Sequence, residues 1–426
     1  MSTITDHPLR YPLTNELHAR PFPKMDAPST VVYFALKHER NAVQRSREQD
    51  LAHLIALLDR YGAAHPTPGA THHSAKLGRY TLKWEQHTEF VSYTLFAPGT
   101  ADRAFDPADF EIVPRDWIAN APGVRITSLM IRVLPRPKVA AQKKCLEDWF
   151  VPESLAASSV LDDSAVVAGD FQIDAAGHMR FAVFANEDTG KQRIGRIVQR
   201  LCEIETYRAM SMLGFARARA LSPTISALDE TLSEMMTEMT GASTEADQTL
   251  SKLLTVSAEL ETLGAQTAFR FSATGAYEAL VNQRIEILRE CQLNGYQTFG
   301  EFMLRRFEPA MRTVNSSKTR LSVLADRARR AGELLRTRVD VERSAQNQAL
   351  LASMDKRADL QLRLQHTVEG LSVVAISYYA VSLAGYLLYP LGAAMGWSKG
   401  HLTAVLTVPV IALVWLAVRH VKKNLH

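Results

Sequence analysis

The sequence predicts an α+β fold: an N-terminal, mainly antiparallel sheet with helices, then a long-helix bundle ending in a two-span transmembrane hairpin. Three observations predict it. Prolines crowd the chain before Glu153, yet between Glu153 and Glu369 only Pro223 and Pro309 occur. Proline punctuates loops and disrupts helix interiors, so the early part reads as mixed α/β and the later part as helical. Short β-branched and aromatic runs fill the early part. No charged side chain lies between Glu369 and Lys399.

These shifts divide the chain into an N-terminal arm (1–24), an α/β domain (25–186), a helical region (187–315) and a stalk helix (316–370). Spans follow at 371–391 and 402–418, around an outer loop (392–401) and before a basic tail (419–426). In the α/β domain, strands are expected at Thr30–Leu36, at Tyr80–Trp84 paired with Phe90–Phe96, and at Val124–Val133, Ala165–Ile173 and Met179–Phe184. Helices are expected at Ala42–Tyr61 and Lys138–Phe150; Leu51, Leu54, Ile55 and Leu58 follow the i, i+3, i+4, i+7 pattern of a packed face. Further helices are expected at Thr224–Met239, Ala246–Leu263, Gly275–Glu290 and Tyr296–Met311. Neither Gly nor Pro occurs from Glu333 to Glu369, so a helix starting near Ser317 runs into the first span as a rod of about 100 Å.

Leu371–Leu391 matches the roughly 20 residues that cross a bilayer core, and Leu402–Val418 lies near the lower limit. Lys356, Arg357 and Arg363 precede the pair, and Arg419, Lys422 and Lys423 follow it. The positive-inside rule then predicts both termini in the cytoplasm of a multi-pass inner-membrane protein, with the bilayer as its partner. The charged N-terminus lacks the apolar core of a signal peptide.

The first span carries a stripe of small and hydroxyl-bearing residues, Ser372, Ala375, Tyr379, Ser382, Tyr386 and Tyr389, spaced 3-4-3-4-3. Traced back through the rod, it meets Met354, Ala358, Gln361 and Gln365. Three readings stay open: a helix–helix interface, the lining of an ion or water path in a homo-oligomer, or, for the two last tyrosines, an interfacial belt.

Two polar clusters carry candidate chemistry. Glu16, His18 and Arg20 lie within one short segment of the arm; the readings are an anion or acid–base site, or ordinary docking of the arm. Glu85, His87 and Glu89 share one face if extended, as a divalent cation site requires; a hairpin turn there separates them. His65, His72 and His73 read as solvated loop residues. Gly190–Gly195 (GKQRIG) lacks the Lys-Ser/Thr pair of a phosphate loop. The rod arginines, Arg320 to Arg343, read as a solvated face with scattered acidic partners. The net charge of +4 does not suggest nucleic acid, and three scattered cysteines imply no disulfide framework or zinc motif. No motif identifies a cofactor or an enzyme.

Several segments resemble the bacterial family known as domain of unknown function 3422, described as membrane-anchored proteins: His7–Arg10 (HPLR), Asn15–Pro21 (NELHARP), Trp84–Phe90 (WEQHTEF), Glu203–Tyr207 (EIETY) and Glu369–Val373 (EGLSV). The resemblance implies membrane anchoring and supplies no activity. The layout is also similar to the CorA-type magnesium transporters, in which a long helix lines the pore of a pentamer. That family's Gly-Met-Asn signature is absent, and Gly392–Trp397 reads GAAMGW. The leading expectation is an oligomeric, membrane-anchored scaffold or sensor whose protein partner is open. A CorA-like cation conduit and a membrane-bound hydrolase are the alternatives.

Overall fold

Strands form where β-branched and aromatic residues alternate between two packed faces. In the computed structural model, which describes residues 4–11, 13–14, 22–38, 46–240 and 246–424, they join in one sheet. Its strands are β1 (Ser29–Lys37), β2 (His72–Leu77), β3 (Tyr80–Gln86), β4 (Phe90–Pro98), β5 (Val124–Pro135), β6 (Ala156–Val160), β7 (Ala165–Ile173), β8 (Met179–Ala185) and β9 (Cys291–Gln292). The order is β2-β3-β4-β1-β5-β8-β7-β6-β9. All neighbours pair antiparallel except β5 and β8, which run parallel and join two antiparallel blocks.

The α+β expectation holds, with local corrections. Strands β2, β6 and β9 lie outside the sequence expectations: β2 is mostly polar, β6 is small-residued and β9 is too short to carry a pattern. Helix α1 (Arg47–Arg60) is capped by Ser46, whose hydroxyl accepts from the Gln49 N–H. A short α2 (Arg115–Ala119) and α3 (Val139–Trp149) follow.

One sheet face buries Val32, Phe34, Leu82, Trp84, Tyr93 and Leu95 against Leu54, Leu57 and Leu58 of α1 and Trp117 of α2. Farther along the sheet, Met130, Ala168, Ala182 and Phe184 pack with Leu146 of α3 and Phe150 just after it. His53 is built into the first cluster. Its Nε2 faces the Trp117 carbonyl at 3.1 Å and so carries the proton, leaving Nδ1 to accept from the Tyr93 hydroxyl at 3.0 Å. His178 lies 2.8 Å from the Ser128 hydroxyl in the same sheet. Burial, first of all, lowers the pKa of both imidazoles from the ordinary 6.5. A depressed folded-state value makes the unfolded chain the better proton acceptor below pH 6.5. Stability is therefore expected to be full above pH 6.5 and to fall as the pH drops from there toward the lowered values, with thermal melts at pH 7.5 and 5.5 as the check.

The opposite face is covered by α4 (Lys191–Thr240), followed by α5 (Ala246–Leu288), α6 (Phe299–Arg306), α7 (Glu308–Ala394) and α8 (Lys399–Asn424). Pro223 lies inside α4 and does not end it. Leu221, Ile225, Leu228 and Leu232 stay buried across the proline, so tertiary packing overrides the lost hydrogen bond. Gly264 and Gly275 likewise lie within an unbroken α5. Thr298 caps α6 in a capping box with Glu301, and Pro309 sits in the first turn of α7, where its missing N–H costs nothing.

The chain forms two compact units, Met1–Ala242 with Ser251–Ala331, and Ser243–Leu250 with Gly332–His426. In the first, Asp229 of α4 receives Arg320 and Arg327 of α7 at 2.8 and 3.1 Å. In the second, Arg338 pairs with Glu342, and Arg343 with Asp247. The second unit holds two helical stretches long and apolar enough to cross a membrane, one within α7 and one within α8. They turn back at 395–398, where Gly396 takes φ +78°.

Candidate functional site

Gln86 closes β3 and Phe90 opens β4, so the segment between them is a hairpin turn, closed by the His87 N–H donating to the Phe90 carbonyl at 2.9 Å. The turn separates Glu85 from Glu89 and removes the single extended face on which Glu85, His87 and Glu89 would stand together. Each carboxylate instead meets its own cation. Glu85 lies 3.1 Å from Lys83, two residues back on the same strand face. Glu89, with its side chain 2 % exposed, pairs with Arg270 of α5. The His87 ring stacks on Phe90, with 4.3 Å between centroids.

These pairs belong to a network between the sheet and α4. Lys83 Nζ also donates to Gln199 Oε1 at 2.9 Å; Gln199 Nε2 donates to Glu203 Oε1 at 2.8 Å; Arg284 of α5 pairs with Glu203. The Tyr33 hydroxyl of β1 meets the Thr206 hydroxyl at 2.7 Å. Tyr207 packs edge-on against Phe90 and stacks on Tyr277 of α5. The Trp84–Phe90 and Glu203–Tyr207 segments, far apart in sequence, therefore meet around one buried polar layer. Lys83, Gln199, Arg270, Tyr277 and Arg284 are its members that sequence reasoning missed. The one available signal was EIETY, whose Glu203 and Thr206 face the layer while Glu205 pairs with Arg208 at 2.8 Å.

Electrostatics follow the burial. Burial and the Glu89 charge push the Tyr277 hydroxyl well above its ordinary value, so it stays protonated and can donate. Burial, then Arg270, lower the Lys37 pKa, with Glu89 acting the other way. Burial drives the Cys202 thiol upward, which makes it a poor nucleophile. The cavity inside the layer is about 30 Å³, room for a single water. Its chemistry is that of a charge-balanced clamp joining the hairpin, α4 and α5.

The remaining site expectations are placed as follows. Glu16, His18 and Arg20 lie outside the described residues. His72 and His73 belong to β2, not to a loop; both are half-buried, and His73 Nε2 faces the Ala64 carbonyl at 3.0 Å. Among the described residues, no group of three or more His, Cys, Asp or Glu is placed to hold a metal ion. Gly195 is not a phosphate loop residue: it sits in α4, where a Cβ would lie 1.7 Å from the Pro23 carbonyl oxygen. In the apolar stretch of α7 expected as the first span, Ser372, Ala375, Tyr379, Tyr386 and Tyr389 are exposed and Ser382 is half-buried.

Residues 5–425 match the model of one family, whose description reads protein of unknown function (DUF3422). The chain belongs to that family. No curated protein matches it. The hairpin clamp and the first-span stripe therefore sit within a chain matched almost end to end by one family.

Proposed function

We propose that this protein is a membrane-anchored scaffold that associates with copies of itself along α7. Two apolar helices of spanning length, joined by a short turn and followed by Arg419, Lys422 and Lys423, support anchoring with both ends on the basic side. Aromatic belt positions agree: Lys399 lies over the Tyr386 ring at the turn end, and Arg419 over the Trp415 ring at the other.

The observation that carries self-association is which face of the first span α8 leaves free. Ser377 and Gly392 of α7 and Leu402 of α8 are buried. Half-buried Val373, Ala380, Val381, Ala384 and Leu388 continue that α7 face, and Leu406, Val410, Val414 and Val418 continue the α8 face at a spacing of four. A Cβ on Gly392 would meet Leu402 at 3.1 Å. The Ser372–Tyr389 stripe falls outside this seam. Leu351 and Val368 share its phase, so the 4-3 spacing runs unbroken from Leu351 to Tyr389. Leu351, Met354 and Val368 are more than half exposed. A strict seven-residue repeat is the pattern of a coiled coil, and hydroxyls with small residues hold membrane helices together. A second copy of α7 would cover the whole stripe.

Carbonate-washed membranes bearing Ala375→Cys in a Cys291→Ser background are expected to yield a disulfide-linked dimer on mild oxidation. Ile376→Cys, one residue off the stripe, is expected to yield far less. A monomer by light scattering in mild detergent, with equal cross-linking at the two positions, would remove the proposal. Ion flux from liposomes that is lost in Ser382→Leu would move the reading toward a cation conduit.

A further inference from the structure

The outer edge of the sheet, at β2, carries a cleft of about 610 Å³, within the range that holds small organic ligands. It lies beside the buried clamp on the same face of β3 and β4, and shares Pro23, Lys83 and Phe96 with it. Phe22, Pro23 and Phe96 supply flat apolar wall. The charged and titratable lining is of one kind: Lys24, Lys83, His65, His72 and His73. Among the described residues no carboxylate lines the cleft. Lys83 is balanced by Glu85 just behind it, and the His65 Nε2 lies 2.6 Å from the Asp59 carboxylate on the outer rim. Lys24 has no such counter-charge among the described ion pairs, and the His72 Nδ1 is buried with no hydrogen-bond partner.

A buried ring nitrogen without a partner is costly; the His72 Nδ1 has no solvent access in the ligand-free chain, so a ligand atom removes that cost once the ring turns toward the cleft. Lys24 and Lys83 over a hollow with no acid in its described lining favour the entry of an anion. Burial is the first cause that lowers the His73 pKa, and the His72 and His65 rings lower it further. The apolar wall selects against a bare inorganic ion, because phenyl rings gain only from a flat apolar body placed against them.

We propose that this cleft binds a small organic anion, with an aromatic or similarly flat body against Phe22 and Phe96 and its carboxylate or phosphate directed to His72 and Lys24. The site is independent of self-association along α7. It would make the scaffold responsive to a soluble metabolite.

Phenyl phosphate is the probe, because it combines a ring with a charged head and its dianion stays out of detergent. With the detergent-solubilised full chain, its ³¹P resonance is expected to broaden saturably, with a dissociation constant of about 1 mM or tighter. Phenol, which lacks the charge, and inorganic phosphate, which lacks the ring, are each expected to bind about tenfold more weakly. His72→Ala is expected to weaken phenyl phosphate by about tenfold without shifting the ligand-free thermal midpoint. Lys76→Ala, on the same strand but outside the cleft, is expected to change nothing. Absence of saturable broadening, equal binding by phenol, or an unchanged constant in a folded His72→Ala variant would overturn the proposal. Should His72→Ala fail to fold, Phe96→Leu is read instead: loss of the preference for phenyl phosphate over inorganic phosphate supports the site, and its retention overturns it.

Discussion

Replacing Glu89 by glutamine is expected to destabilise the first unit by about 3–5 kcal/mol, the usual cost of removing one partner from a buried ion pair. The carboxylate is nearly inaccessible, and its partner Arg270 is 16 % exposed. Without it, Arg270 and Lys37 confront each other as two cations in a poorly solvated place. Burial and Arg270 already lower the Lys37 pKa, and Glu89 is what opposes them. Tyr277 keeps only a neutral amide oxygen in place of the charged acceptor of its hydroxyl hydrogen bond. The expected readout is a fall of roughly 5–10 °C in the thermal midpoint of the solubilised chain. Glu89→Gln combined with Arg270→Gln is expected to recover a substantial part of the loss, since Arg270 is then no longer a buried charge without its partner and no longer confronts Lys37. A midpoint that stays put in the single variant would show that water screens the pair.

Gly195→Ala is the second large effect, and its sign reverses the usual rule. Within a helix, alanine is better than glycine by about 1 kcal/mol. Here the new methyl would lie 1.7 Å from the Pro23 carbonyl oxygen and 2.8 Å from its carbon. Backbone cannot swing aside as a flexible side chain does, so α4 or the segment leading into β1 must move. The expected cost is about 1–3 kcal/mol, typical of overpacking, read as a lower urea midpoint. Pro23 also lines the cleft at β2, so phenyl phosphate binding should weaken in the same variant. Gly190→Ala, where a Cβ meets nothing within 4 Å, is the neutral control. A midpoint that rises in Gly195→Ala would show that the approach of Pro23 to the helix is loose.

How far the sequence carried depended on whether a signal was local. Thr30–Leu36 announced β1 because alternating bulky residues have one economical arrangement on a sheet with two covered faces. The Ala165–Ile173 and Met179–Phe184 runs did the same for β7 and β8. Strand β2 escaped because HHSAKL is mostly polar, as an edge strand with one face on a cleft can be. Pro223 misled in the other direction: a local breaker was overruled by the buried row on either side of it.

The two apolar helices of spanning length, their basic flanks and the 4-3 stripe were legible in the chain alone, because length, charge and spacing are properties of a single helix. Membership of the family was visible in short motifs spread over the chain. What those motifs do was decided only by the tertiary structure. Glu85 and Glu89 look like one constellation in sequence, yet a hairpin turn sends them to different cations supplied from β3 and α5. EIETY reads as an ordinary helix turn until α4 lies across the sheet and brings Glu203 to Gln199 and Arg284. The same packing puts His72 and Phe96 on one cleft. Ion pairs and pockets depend on where remote backbones meet, and no local pattern of residues encodes that distance.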